Sequence, residues 1–88
     1  MRLGRVVGTV VATRKDPRLT GLKLLVVSAL TPELEPDEAY EVAVDTVQAG
    51  IGEVVILCTG SSARMTERTK DAPVDATIVG IVDSVDLD

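Results

Sequence analysis

Runs of valine and isoleucine recur along this chain with apolar residues at odd and even positions alike, first in Leu3-Gly-Arg-Val-Val-Gly-Thr-Val-Val-Ala-Thr13. An amphipathic helix would repeat its apolar residues every three to four positions, and no such stripe is present. β-branched side chains suit the pleat of a sheet. The run therefore predicts a strand with Val6 and Val10 on one face and Val7 and Val11 on the other. Gly4 and Gly8 fall on the Val6 face. Glycine inside a strand marks a bend, a bulge or a close approach of another backbone. A long bent strand is what closing a small barrel requires.

The same pattern continues. Pro17 and Gly21 punctuate Lys15–Gly21, and Leu22–Leu30 predicts a second strand. Thr31–Glu38, with two prolines, reads as an exposed polar loop. Ala39–Val44 alternates as a short strand, and Asp45–Gly52 reads as a turn segment. Glu53–Thr59 is apolar on both faces, which suits a central strand or an interface. Ser61 or Ser62 is placed to cap a short helix that ends before Pro73. Val74–Leu87 predicts the last strand. Thr77, Val79, Ile81, Asp83, Val85 and Leu87 fall on one of its faces, with Ile78, Gly80 and Val82 on the other. Five strands, one short helix and evenly spaced turns predict a mainly all-β, OB-like barrel in a single domain over residues 1–88. Periodicity alone leaves a sandwich equally open.

The chain has 88 residues, 45% of them hydrophobic, with Tyr40 its only aromatic residue. A chain of this size has a thin core, so self-association would help it. An apolar face left exposed on a stable monomer is a liability. Part of the set Val7, Val11, Val79 and Ile81, or the opposite faces, is therefore expected between subunits. The formal net charge is -5, which argues against nucleic acid, whose phosphates are bound by Lys and Arg. The missing aromatics remove base stacking as well. Positive charge gathers early, in Arg2, Arg5, Arg14, Lys15 and Arg18. Acidic residues dominate later, in Glu33–Glu38 and Asp83–Asp88. That asymmetry suits the orientation of neighbouring subunits, and equally a solvated mixed surface. No stretch approaches the ~20 apolar residues of a membrane span, and no apolar leader follows Met1-Arg2. A lone cysteine forms no internal disulfide. A cytoplasmic place without a membrane partner is expected.

The sequence is poor in chemistry. It contains no histidine, the commonest general base and transition-metal ligand. Cys58 sits among apolar neighbours and reads as a buried small hydrophobe. Ser61 and Ser62 follow a glycine, but Ala63-Arg64 breaks the nucleophile-elbow pattern. They read as caps, or as a loop whose backbone N–H groups meet a small anion. Gly50-Ile-Gly52 lacks the third glycine and the helix of a dinucleotide fingerprint. Asp45, Asp75 and Asp83 are too scattered for an acid–base pair. Neither an enzyme nor a cofactor is expected.

Taken in order, these segments resemble the EutN/CcmL family, the pentameric vertex proteins of bacterial microcompartment shells. The similarity lies in Leu3–Thr13, Lys15, Gly21–Val27, Ala43–Glu53, Gly60-Ser-Ser-Ala-Arg64, Pro73–Ala76 and Ile81-Val-Asp83. Each motif is weak alone, and their order and spacing over one chain carry the match. Gln48 departs from the pattern, standing where a small residue, often glycine, is expected. The resemblance implies OB-type barrels closed into homopentameric rings at the five-fold vertices of a shell tiled by hexagonal proteins. It also implies a narrow axial pore. Like charges repel around a five-fold axis, so Gly60, Ser61 and Ser62 are the candidate pore loop by composition. Two alternatives stay open: a small OB-type binding module, and a metabolite pore not tied to shell closure.

Overall fold

The β-branched runs are extended, and they wrap into a closed barrel. The computed structural model describes residues 1–88. Its strands are β1 (Arg2–Val10), β2 (Leu24–Leu30), β3 (Pro36–Asp45), β4 (Val54–Thr59) and β5 (Ala76–Ile81), in the closed order β1-β2-β3-β5-β4. β1 joins the two ends of the strand order by pairing with both β2 and β4. It meets β2 from Gly4↔Ala29 to Val10↔Leu24 and β4 from Arg2↔Leu57 to Arg5↔Val54. A short parallel seam between β3 and β5, Val44↔Thr77 and Asp45↔Ile78, completes the barrel. Thr46 reinforces that seam, its Oγ1 donating to the Ile78 carbonyl at 2.7 Å.

Alternate residues of each strand point inward. Val6, Leu25, Val27, Val55, Leu57 and Ile78 fill the core, with Ala43, Ala49 and Ala76 where space is tightest. The chain after β4 then folds back over the outside. Ala72 and Val74 cover Val44, with Leu22 and Leu24 packed beside them. The outer surface where the start of β2 meets the end of β3, and the outside of β5 at Thr77, are thus covered by the chain itself.

The register slips at three places. One lies at the far end of the β2–β3 pair, where Ser28 pairs with Tyr40 but Leu30 with Pro36. The other two change which side chains of β1 and β5 face inward. Val6 pairs with Val27 but Gly8 pairs with Val26, so the β1–β2 register slips at Val7. Leu57 pairs with Ile78 but Ile56 pairs with Gly80, so the β4–β5 register slips at Val79. A single extra residue moves everything beyond it to the other face. Gly8 therefore lies outside with Val26, not inside with Val6. Ile81 pairs with core-facing Val55 and does not share the face of Thr77.

Several boundaries also differ from the sequence reading. β1 stops at Val10, whose partner Leu24 is the last residue of the β1–β2 ladder, while the β2–β3 ladder runs one rung further through Asp45 N–H to Lys23 O. β2 accordingly begins at Leu24. β3 starts at Pro36, inside the segment that reads as a loop. Proline is tolerated there because β3 at that point has a partner on one side only. β5 spans Ala76–Ile81 rather than Val74–Leu87. Its last rung, Val82 N–H to Val54 O, coincides with the start of β4, and a strand without a partner cannot continue. The helical content is two 3-10 turns, Pro17–Leu19 and Gly60–Arg64, where the sequence predicts one helix.

Candidate functional site

The polar side chains of the barrel mostly hold its own backbone. Asp45, nearly fully buried, accepts from Val47 N–H at 3.0 Å and from Ala49 N–H at 2.9 Å. Lys23 Nζ sits 3.5 Å from the same carboxylate and donates to Ala49 O at 3.1 Å. Glu53 accepts from Gly50 N–H at 2.6 Å, and Arg5 donates to Gly52 O at 2.8 Å. These bonds tie the Asp45–Glu53 turn to the barrel. In the β1–β2 connection, Asp16 accepts from Arg18 Nε and Nη2 and from Arg18 N–H. The Arg18 side chain, then its backbone N–H, holds the Asp16 carboxyl down at about 2, and Asp16 in turn raises the Arg18 guanidinium. Asp75 and Asp83 are exposed, apart from this buried Asp45. Cys58 is half-buried on the outer side of β4 rather than fully buried, because Val55 and Leu57 take the inward positions.

Apart from exposed single residues such as Ile51 and Met65, two rows of apolar residues cross different sides of the barrel. The first crosses three strands as Gly8↔Val26↔Val42. It adjoins Val7, which is 52% exposed, and Tyr40, which is 69% exposed. The second crosses β1, β4 and β5 as Leu3↔Ile56↔Gly80. Ile56 Cδ1 lies 3.4 Å from where a Cβ on Gly80 would stand, so the isoleucine leans across the glycine. Of the four interface candidates, Val7 flanks the first row and half-buried Val79 is the slipped residue beside the second. Val11 is exposed in the connection after β1, on neither row. Ile81 is partly exposed on the inward side, at a mouth of the barrel. The sequence reading passes over Val26, Val42, Tyr40, Leu3 and Ile56. The alternation of Ala39–Val44 already places Val42 opposite the core-facing Ala43. Only the strand pairing joins it to Val26 and Gly8.

The loop Gly60-Ser61-Ser62 is exposed between β4 and β5, in the 3-10 turn Gly60–Arg64. Gly60 has φ +68°, a left-handed conformation that favours glycine. Neither serine caps the turn: the cap position is Thr59, and Ser62 Oγ instead donates back to Thr59 O at 2.8 Å. Ala63, just inside the loop, is fully buried.

A closed barrel whose polar groups brace its own turns, with one partly exposed and one half-buried apolar row outside, is the architecture of a structural assembly subunit. The chain belongs to the EutN/CcmL family: the family model described as "Ethanolamine utilisation protein EutN/carboxysome" matches residues 1–83. It is 54% identical over 86 residues to the bacterial microcompartment shell vertex protein GrpN of Rhodospirillum rubrum, covering 98% of this chain and 97% of that one. It is 49% identical over 87 residues to the carboxysome shell vertex protein CcmL of Synechocystis, covering 99% and 87% of the two chains. Among solved structures, the GrpN pentameric microcompartment shell protein from Rhodospirillum rubrum superposes with a TM-score of 0.92 at 53% identity, over 99% of each chain.

Proposed function

We propose that five copies of this chain close head to tail into a ring that caps a five-fold vertex of a bacterial microcompartment shell. The observation that carries this reading is the pair of apolar rows on separate sides of one closed barrel. Two different faces on one subunit suit a heterologous contact, which closes into a ring when the rotation fits. The number five and the place in the shell rest on the relatives named as shell vertex proteins and on the pentameric GrpN structure. Val7 and Val79 lie at the edges of the two rows and become subunit contacts in this reading, with Val11 and Ile81 on the periphery. Gly60, Ser61 and Ser62 face the axial opening, where a small neutral loop avoids fivefold repetition of charge.

The role is structural and not enzymatic, with no cofactor. The other partners are the hexagonal shell proteins around the vertex, and the site of action is the shell within the cytoplasm. No helix is long and apolar enough to cross a membrane, and neither membrane nor nucleic acid is a partner in this reading. Native mass spectrometry at micromolar concentration tests the ring: a pentamer is expected, and monomer alone would overturn it. Co-expression with hexagonal shell proteins tests the cap. Closed shells are expected only when this chain is present, and shells that close equally well without it would remove the vertex role.

A further inference from the structure

The Gly60–Arg64 turn is exposed, short and glycine-led, which would suit a mobile gate. Its bonding says otherwise. Gly60 N–H donates to Asp75 O at 2.9 Å, and Arg64 Nη1 donates to Val74 O at 2.9 Å. Between these ends, the Ala63 carbonyl accepts two hydroxyls, Thr69 Oγ1 at 2.7 Å and Thr77 Oγ1 at 2.8 Å. Both threonines are fully buried. Thr69 comes from the segment folded over the outside, and Thr77 comes from β5. Thr66 joins the network, its Oγ1 2.6 Å from Thr69 Oγ1. Ser62 is engaged with Thr59 O. Ser61 alone among the loop hydroxyls has no bond within the chain.

We infer that Thr69 and Thr77 are positioning residues that clasp the Ala63 carbonyl and fix the shape of the Gly60–Arg64 turn in each subunit, before any ring forms. A buried carbonyl that loses one of its two hydroxyl donors keeps the other but gives up one hydrogen bond in a site water does not refill, so each hydroxyl adds to the clasp's resistance to opening. In the assembled ring the turn is then a preset rim and not a gate, with Ser61 the hydroxyl free to meet a passing solute. That last step rests on the placement of the loop at the axis proposed above, whereas the clasp does not.

The test is Thr77→Val, which keeps the side-chain shape and removes the donor, with Thr77→Ser as the conservative variant that restores it. Amide exchange of Gly60 and Met65, whose N–H groups bond to Asp75 O and Ser62 O, reads the turn. Gly52 and Val82, bonded to Val6 O and Val54 O, read the barrel. Thr77→Val is expected to speed exchange at Gly60 and Met65 by roughly tenfold, leave Gly52 and Val82 near wild type, and be rescued by Thr77→Ser. Unchanged exchange at the turn, or equal acceleration at all four amides, would overturn the clasp. Thr69→Val, outside the barrel strands, carries the same test if Thr77→Val does not fold. Permeability of closed shells separates the two readings. Faster exchange with altered permeability supports both the clasp and the axial rim. Faster exchange with unaltered permeability supports the clasp and removes the loop from the axis.

Discussion

Gly4 on β1 lies so close to Val27 on β2 that a Cβ at residue 4 would overlap Val27 Cγ1, with Ser28 O only 3.1 Å away on the same side. Val27 is fully buried in the core, and a β-branched side chain is stiff about χ1, so it does not swing aside cheaply. Gly4→Ala is therefore expected to destabilise the barrel by about 1–3 kcal/mol, the usual cost of forcing a methyl into a packed core. Urea unfolding measures it. Gly8→Ala is the control, because its Cβ would meet Val26 at an ordinary 3.8 Å, and a Gly8→Ala loss as large as that of Gly4→Ala would contradict the argument.

The Asp45 carboxylate uses one oxygen for Val47 N–H and the other for Ala49 N–H. Asparagine offers one acceptor and one donor, so Asp45→Asn sets an NH₂ against a backbone N–H or leaves one N–H without a partner. It also removes the partner of Lys23. A loss of about 1–3 kcal/mol is expected for this buried position, read by urea midpoint at neutral pH. A midpoint equal to wild type would show that the turn does not depend on the second oxygen.

Gln48 lies between the two amides that Asp45 holds, and its φ of +59° is in the left-handed region. The turn keeps the conformation that a glycine would adopt freely. Asp45 on one side and Lys23 through Ala49 O on the other hold it in place. Gln48→Gly relieves the left-handed strain but loosens the unfolded chain, two effects of about 1 kcal/mol each in opposite directions. The expected outcome is a thermal midpoint close to that of wild type, whereas the β-branched Gln48→Val lowers it clearly. A Gln48→Val midpoint equal to that of Gln48→Gly would mean the turn relaxes to another conformation.

The strands are readable in the sequence because β-branched runs bounded by glycine and proline announce themselves locally. The slips at Val7 and Val79 are not, because a slip is a relation between two strands. Period-two reading places Ile81 with Val79 and Gly8 with Val6, and one residue of slip reverses both. The parallel β3–β5 seam joins Val44 to Thr77 across most of the second half of the chain, and no local signal marks it. The Gly60–Arg64 turn is visible in outline, but its serines do not cap it because Ser62 finds a carbonyl, not an N–H, within reach. The Thr69–Ala63–Thr77 clasp needs the fold itself, since nothing in the spacing of two threonines points to a shared acceptor.

Asp16 and Arg18 give the chain an acid-sensitive feature in the β1–β2 connection. The Asp16 carboxyl is depressed to about 2, chiefly by the Arg18 side chain. A depressed carboxyl favours the folded arrangement above its ordinary range and loses that preference as pH falls through the folded value. The pair should therefore persist through the ordinary carboxylate range and open only near about 2. Chemical-shift titration of Asp16 measures this directly. Arg18→Gln is expected to return the midpoint toward the ordinary carboxylate range, and an unchanged midpoint would assign the depression to another cause.

The two apolar rows make a prediction that distinguishes a head-to-tail ring from a symmetric pairing. Val42→Asp places a charge in the Gly8–Val26–Val42 row and leaves Leu3–Ile56–Gly80 intact. Leu3→Glu does the reverse. Each variant alone is expected to remain a monomer by native mass spectrometry while keeping its β-sheet circular dichroism, because every contact in a ring joins one row to the other. Mixed, the intact second row of the Val42→Asp chain can still meet the intact first row of the Leu3→Glu chain. One contact forms and neither free end can extend, so the mixture should yield a one-to-one heterodimer and no larger ring. A contact that paired like rows would instead leave each variant a homodimer through its undamaged row, with no gain on mixing, and that result would remove the head-to-tail arrangement.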